Sequence, residues 1–311
     1  MTILVCGEAL CDVFPGAETP EGLTLDARLG GAAFNVAVAL ARLDRRAAFV
    51  GGVSTDAPGA RLMRALGAEG VDTRWAARKD APTTLAMVAV APDGAARYFF
   101  HGAGAADRLL APGDLPPLDR DVEAVCLGCF PLVAAPVGDT LLGFAQAAAG
   151  GPVVSLDPNL RLPAFPDRAL WRARIGAVAA LADIVKISVE DLDALSPGVA
   201  PADAAAAFLA AGASLVVVTE GAAGAAAWTA AAHAAAAAPP VSVVDTVGAG
   251  DSFLAALLCV LGETGALRRD ALRAAGPDAL RRWLGFATRA AAETCRRRGA
   301  DPARRADLPR V

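Results

Sequence analysis

Val243-Val244-Asp245-Thr246-Val247-Gly248-Ala249-Gly250-Asp251-Ser252-Phe253 is the stretch on which the reading of this chain turns. It reads as the end of a strand over 241–244, a turn of small residues, and an amphipathic helix from about Ala249 to Leu261. Small residues at 248–250 leave the backbone N–H groups at the helix start unobstructed, and with the helix dipole they form an anion site. Glycine at two of those three positions lets a phosphate approach the backbone closely. Asp251 then falls in the first helical turn, where a carboxylate is favoured and stays ionised. Beside an anion site it can accept a proton from an attacking hydroxyl. A weak base suffices, because phosphoryl transfer draws most of its catalysis from positioning and charge neutralisation. The residues alone describe equally well an ordinary glycine turn with Asp as helix cap, and both readings stay open at this level.

Outward from this unit, strand and helix patterns alternate. Strands are expected over 3–6, 47–50, 153–156, 184–187 and 214–219, and helices over 32–43, 56–69, 168–182 and 202–211. Short apolar strands separated by helices of this length indicate βαβ units and a parallel sheet covered on both faces. Two stretches break the rhythm. Phe14–Arg28 contains Pro, Gly and Thr with no helical period, and Thr83–His101 reads as two strands joined by a turn at Pro92-Asp93-Gly94. The second is either a plain surface hairpin or a flap over the functional edge of the sheet, where open α/β folds bind ligands. The nearly low-complexity segment 222–240 is expected to be a strand and a loop leading into the strand at 241–244. Arg296-Arg297-Arg298 ends the last long helix, where cations complement the dipole.

The 311 residues suit one large α/β domain. They are 55% hydrophobic but only 5% aromatic, and about a quarter are Ala, so the core is expected to use many small side chains. Lys79 and Lys186 are the only lysines. The net charge of −4 argues against a general nucleic-acid binder. Despite a mean hydropathy of +0.44, no stretch reads as a membrane span or secretory signal, so no membrane partner and a cytoplasmic location are expected. Cys126 and Cys129 form a single CxxC without a second pair, which reads as buried reduced thiols rather than a zinc site.

There is no G-x-x-x-x-G-K-[ST] and no G-x-G-x-x-G after the first strand, so neither a P-loop nor a dinucleotide fingerprint is present. The segment Asp245–Phe253 instead resembles the C-terminal signature of the ribokinase (PfkB) carbohydrate kinase family. Gly30-Gly31-Ala32-Ala33-Phe34-Asn35-Val36-Ala37, running on to Gly51-Gly52-Val53, resembles its N-terminal signature. The resemblance is nearest to bacterial fructokinases through Gly7-Glu8-Ala9-Leu10-Cys11-Asp12, Pro82-Thr83-Thr84, Asp157-Pro158-Asn159-Leu160-Arg161 and Lys186-Ile187-Ser188-Val189-Glu190-Asp191.

This resemblance implies a ribokinase-like three-layer α/β/α sandwich spanning residues 1–311, with a mostly parallel central sheet and a small β lid formed by about 12–28 and 83–104. It implies ATP-dependent phosphorylation of a sugar, most closely the 6-hydroxyl of fructose. Asp251 would be the general base, and Gly248, Ala249 and Gly250 the anion hole for the γ-phosphate. Asp12, Gly30, Gly31 and Asn35 would bind the sugar, with Arg97, Asn159 and Arg161 near the sugar or the transferred phosphate. Lys186, Thr219, Gly221 and Gly224 would contact the nucleotide. Glu190 or Asp191 would organise Mg²⁺ through water, Asp standing where the family carries Glu. Asp245 and the loop near Gly299 resemble the family's monovalent-cation loop, which allows a K⁺ site, although Arg298 replaces the usual Pro. The strand end Gly128-Cys129-Phe130-Pro131 is altered where relatives tend to carry Ser, and family members are often dimers. The alternatives are another sugar of the same family, such as 2-keto-3-deoxygluconate, or a non-catalytic sugar-binding regulator.

Overall fold

The apolar run Thr2–Cys6 forms the first strand, and its period of two decides how it sits. Ile3 and Val5 join one hydrophobic core, while Leu4 and Cys6 join another on the opposite side. A strand buried on both faces belongs in the middle of a sheet covered by two helical layers. The computed structural model describes residues 1–90 and 96–310; side chains at 89, 90 and 96–98 lie outside the description.

Among the described residues there are thirteen strands and nine α-helices. The strands are β1 (Thr2–Cys6), β2 (Leu10–Thr19), β3 (Gly22–Gly30), β4 (Ala47–Ser54), β5 (Ala76–Lys79), β6 (Leu85–Val90), β7 (Ala96–His101), β8 (Val122–Gly128), β9 (Val153–Asp157), β10 (Ile184–Ser188), β11 (Leu215–Thr219), β12 (Ala225–Trp228) and β13 (His233–Ala236). The helices are α1 (Ala32–Arg42), α2 (Ala57–Ala68), α3 (Val137–Ala148), α4 (Arg168–Ala179), α5 (Val189–Leu195), α6 (Pro201–Ala211), α7 (Ala249–Glu263), α8 (Arg269–Arg273) and α9 (Pro277–Cys295).

Nine strands form one sheet in the order β13-β12-β11-β10-β9-β8-β1-β4-β5. It is parallel from β11 to β5, with the β12–β13 hairpin added antiparallel at one edge. Helices α1, α2, α7, α8 and α9 bury their apolar faces on one side and α3 to α6 on the other. This is the three-layer sandwich expected. Local capping sets helix starts where the sequence supplies it. Asp56 accepts from Gly59 N to open α2, Asp167 from Ala169 N and Leu170 N to open α4, and Ser188 from Asp191 N to open α5. Helix α7 is buried continuously from Asp251 to Leu261, so its mix of Ala, Leu and Val needs no polar face; it packs against α1 and α9.

A second, four-stranded sheet has the order β3-β2-β6-β7. It comes from the two stretches that broke the alternation. Phe14–Arg28 lies within the β2–β3 hairpin, and β6 and β7 are the two strands expected in Thr83–His101. The turn expected at Pro92-Asp93-Gly94 lies outside the described residues. One expectation fails. Residues 241–244 form no strand, because the hairpin closes earlier, with Ala225, Ala226 and Ala227 facing Ala236, Ala235 and Ala234. The chain then leaves the sheet, Val244 N donates to Cys295 O at the end of α9, and Val243 and Val244 are 61% and 62% exposed. A β-branched run with no free strand beside it has nothing to pair with.

Candidate active site

Strand β9 ends at Asp157, and the chain turns through Pro158-Asn159-Leu160-Arg161 across the carboxyl edge of the main sheet. Asn159 takes φ 40°, a left-handed conformation that Asn tolerates better than most residues. The turn aims its amide at the start of α7: Asn159 Nδ2 lies 3.4 Å from Asp251 Oδ1. Arg161 Nη1 donates to Asn159 Oδ1 at 2.6 Å, which fixes which end of the amide faces Asp251. From the other side, the first turns of α1 bring Asn35, whose Nδ2 donates to Asp251 Oδ2 at 2.8 Å. Residues 35, 159 and 251, remote in sequence, therefore form one hydrogen-bonded group.

Asp251 is 6% exposed. Burial pushes its carboxyl up to about 6; the Asn35 hydrogen bond opposes this, nearby Asp157 adds to it, and Lys186 and Arg161 oppose it. Lys186, on β10, donates to Asp157 Oδ2 at 2.8 Å, and both side chains are buried. Burial works against the ammonium, but Asp157, joined by Asp251 and Asp191, raises the Lys186 pKa. A Cβ built on Gly250 would stand 3.3 Å from Lys186 Nζ, so the cation lies against the glycine turn. Gly248 begins α7 at φ 76°, where an added Cβ would meet Ala300 Cβ at 2.7 Å. Among the described residues no side chain caps this helix start, and although Ala249 N donates to Thr246 O at 3.2 Å, the N–H of Gly250 is left to face an anion.

Two cavities meet here. The first, of about 460 Å³, is lined by Asp12, Gly31, Asn35, Arg161 and Asp251, with Phe14 and Phe100 reaching in from the small sheet. Burial pushes the Asp12 carboxyl up to about 6, with Arg161 opposing. The second, of about 650 Å³, is lined by Thr219, Gly221, Gly224, Val241, Ala249, Phe253 and Ala292 among others, and carries Glu190 and Asp191 at one side. Asn159, Lys186, Thr246 and Gly250 line both. Gly224, at φ 111°, closes the loop before β12 where an added Cβ would strike Ala236 O at 2.1 Å.

Most residues singled out from sequence therefore converge, with some exceptions. Gly30 does not line the first cavity; its missing Cβ leaves room for Asp12 Oδ2, which would stand 2.3 Å away. Asp245 accepts from Val247 N (3.1 Å) and Gly299 N (2.8 Å), tying the turn before α7 to the loop after α9. Glu190 is exposed, whereas Asp191 is half-buried, accepts from Leu160 N, and is pushed up to about 6 by burial and by Asp157. The Arg97 side chain lies outside the described residues. Sequence reading missed Asp157, Phe100 and Glu8. The signal for Asp157 was present: a carboxylate at the end of an apolar strand, beside the strand that carries the chain's one buried lysine. All six cysteines are free, five of them buried and Cys295 partly so.

A model of the pfkB family of carbohydrate kinases matches residues 2–306. A fructokinase of Rhizobium leguminosarum bv. trifolii is 39% identical over 279 residues, covering 90% of this chain and 85% of that one. Among solved structures, the fructokinase of Xylella fastidiosa with bound ATP superposes with a TM-score of 0.85 at 31% identity, covering 99% of this chain and 95% of that one. The fructokinase of Vibrio cholerae O395, in a form with fructose, ADP and calcium ion bound, gives a TM-score of 0.81 at 27% identity, covering 96% and 94%.

Proposed function

The chain belongs to the pfkB family of carbohydrate kinases, and from that premise we propose that it transfers the γ-phosphate of ATP to the 6-hydroxyl of fructose, with Asp251 as general base. The observation that carries this reading is the meeting of the two cavities at Asn159, Lys186, Thr246 and Gly250, with Asp251 beside that junction. A hydroxyl held in the first cavity and a nucleotide in the second would face each other there.

In this reading Asp12, Gly31, Asn35 and Asn159 hold the sugar hydroxyls, and Arg161 both fixes the Asn159 amide and lends charge. Asp251 takes the hydroxyl proton; held by two neutral amides, it keeps its basicity. The N–H groups at 248–250 and Lys186 receive the negative charge of the transferring group. Thr219, Gly221 and Gly224 border the apolar slot for the nucleotide base. Glu190 and Asp191 are hard oxygen donors at its edge, and among the described residues no cluster of three or more such ligands forms a closed metal cage. That donor set fits Mg²⁺ held largely by water and phosphate. When bound, Mg²⁺ supplies charge neutralisation of the phosphates. Asp245 has both oxygens engaged by backbone N–H groups, which favours a loop-holding role over a direct ligand to K⁺. The small sheet acts as the lid in this reading, excluding water over the sugar.

We place the activity in the cytoplasm, where free thiols such as these six are the norm; among the described residues no helix is long and apolar enough to cross a membrane. We also propose a homodimer through the small sheet, on which Leu23, Leu25 and Phe99 are exposed.

The test is ADP release against fructose, 2-keto-3-deoxygluconate, ribose and a nucleoside, with the product position read by NMR. Fructose should give the highest kcat/KM and a 6-phosphate. The sugar acid is the second reading, favoured by the Arg161 cation, and preference for it would replace fructose. Sugar binding without ADP release would replace the kinase reading with a sugar-binding regulator.

A further inference from the structure

The chain's first two passages between the layers of the main sheet and the small sheet run through Gly7-Glu8-Ala9 from β1 to β2 and through Gly31 from β3 to α1. These two crossings touch. A Cβ on Gly31 would stand 2.7 Å from Glu8 O and 3.2 Å from Ala9 Cα, and Phe34 N donates to Glu8 O at 3.3 Å. The Glu8 side chain then reaches back across the contact. Its Oε1 accepts from Ala32 N at 2.7 Å, and the residue is 1% exposed.

We propose that Glu8 is a positioning residue for the sugar side of the site, holding the first turn of α1, and with it Asn35 and Asp251, through the N–H of Ala32. Helix α1 needs such a partner. Its N-cap is Gly31, which has no side chain to satisfy the exposed N–H groups of the first turn. Glu8 supplies the cap from 24 residues away. Asn35 follows in the next turn and donates directly to Asp251, so a loosened helix start reaches the reacting carboxylate through one side chain.

The second oxygen points the same way. The Glu8 carboxyl faces the Cys129 thiol, its Oε2 is buried, and the residue borders the first cavity. Burial pushes this carboxyl up to about 7, while the backbone N–H groups of Glu8 and Ala32, the Cys129 thiol and Arg161 oppose it. A carboxyl kept at that cost is not an indifferent core residue. Its neighbour Cys129 is itself held at φ 61°, ψ −169°, a region that side chains rarely occupy, at the strand end that receives the Asp157–Asn159 turn. Glu8 thus stands between the two segments that present Asn35 and Asn159.

The assignment rests on the sugar kinase reading, and the experiment separates the two. Steady-state kcat, KM for sugar and KM for ATP are measured for the wild type, E8Q, E8A, A32P and the double variant E8A/A32P. Proline is tolerated at the first helical position and lacks the N–H, so A32P breaks the same link from the helix side, its ring displacing the Glu8 carboxylate from the helix start. E8A and A32P should each raise the sugar KM by about tenfold, with the ATP KM within about twofold. The double variant should be no worse than either single change, because both remove one interaction. E8Q keeps an acceptor for Ala32 N and should stay within about threefold of wild type. Equal changes in both KM values, no change in either, multiplied effects in the double variant, or E8Q as impaired as E8A would each overturn the assignment. If E8A does not fold, A32P and E8Q decide between the same outcomes. A wild type that phosphorylates no sugar defeats the kinase reading; an active wild type without the KM split defeats only the role of Glu8.

Discussion

The Asp251 carboxylate is held by amides and not by a direct ion pair: Asn35 and Asn159 touch it, while Lys186 and Arg161 act on it through space. In the proposed role that arrangement would orient a base without quenching it, and it sets a testable pH limb. With the carboxyl raised to about 6, kcat/KM should fall tenfold per unit as pH drops below about 6 and stay level above it. Asp251→Asn should lose about 10²- to 10⁴-fold in kcat while remaining folded, and near-normal turnover would remove Asp251 from the role. The stability consequence has the opposite sign. Because the folded-state value lies above the ordinary 3.8, the folded protein binds the extra proton at low pH and loses that stabilisation as pH rises through about 6. The wild type should therefore lose stability as pH rises from about 4 to above 6, a decline in Tm that the Asn variant, with no carboxyl at 251, should lack. Asp251 and Asn35 were legible in the sequence because each sits in a short pattern of glycines beside a helix start. Their contact was not legible: 216 residues separate them, and no local spacing encodes a pair made across two packed helices.

Parallel strands put their carboxyl ends side by side, and β9 and β10 use this to set Asp157 against Lys186 below the glycine turn of α7. The pair is buried and, among the described residues, Asp157 Oδ1 has no hydrogen-bond partner, so removing the cation strands a carboxylate. Lys186→Met should destabilise the protein by about 3–5 kcal/mol. Adding Asp157→Asn should restore most of that stability in chemical denaturation but not the lost kcat; recovery of both would reduce the pair to a structural role. The turn itself is tested at Gly248, whose left-handed φ and contact with Ala300 both exclude a side chain. Gly248→Ala should cost about 1–3 kcal/mol and raise the KM for ATP, a result that unchanged Tm and KM would contradict. At this scale most of the main sheet could be read from the sequence, since buried strands and helices differ in period. The strand expected at 241–244 could not be decided that way. Local propensity favoured it, but the strand beside β12 had already been formed by the Ala-rich segment His233–Ala236, and pairing, not propensity, decides.

The two sheets divide the work of the whole molecule, and the register of the smaller one assigns its faces. Asp12, Ala86 and Phe100 lie in one row across β2, β6 and β7, and Asp12 and Phe100 line the sugar-side cavity. The adjacent row, Ala27, Val13, Met87 and Phe99, points the other way, and alternation along β3 places Leu23 and Leu25 on that same outward face. Leu23, Leu25 and Phe99 are 51%, 50% and 55% exposed. Large apolar side chains exposed on one face of a four-stranded sheet, Leu23 and Leu25 at one edge and Phe99 at the other, are better accounted for by a covering partner than by open solvent. A second copy is the partner expected, since an isologous contact needs only one self-complementary patch. The protein should therefore sediment as a dimer at micromolar concentration. Leu25→Glu combined with Phe99→Glu should convert it to a folded monomer whose far-ultraviolet dichroism is unchanged. The same double variant should bind sugar less well, because the inward row that carries Asp12 and Phe100 shares its strands with the outward row that the partner would hold still. A wild type that sediments as a monomer, or a double variant that remains dimeric, would take the interface away from this face.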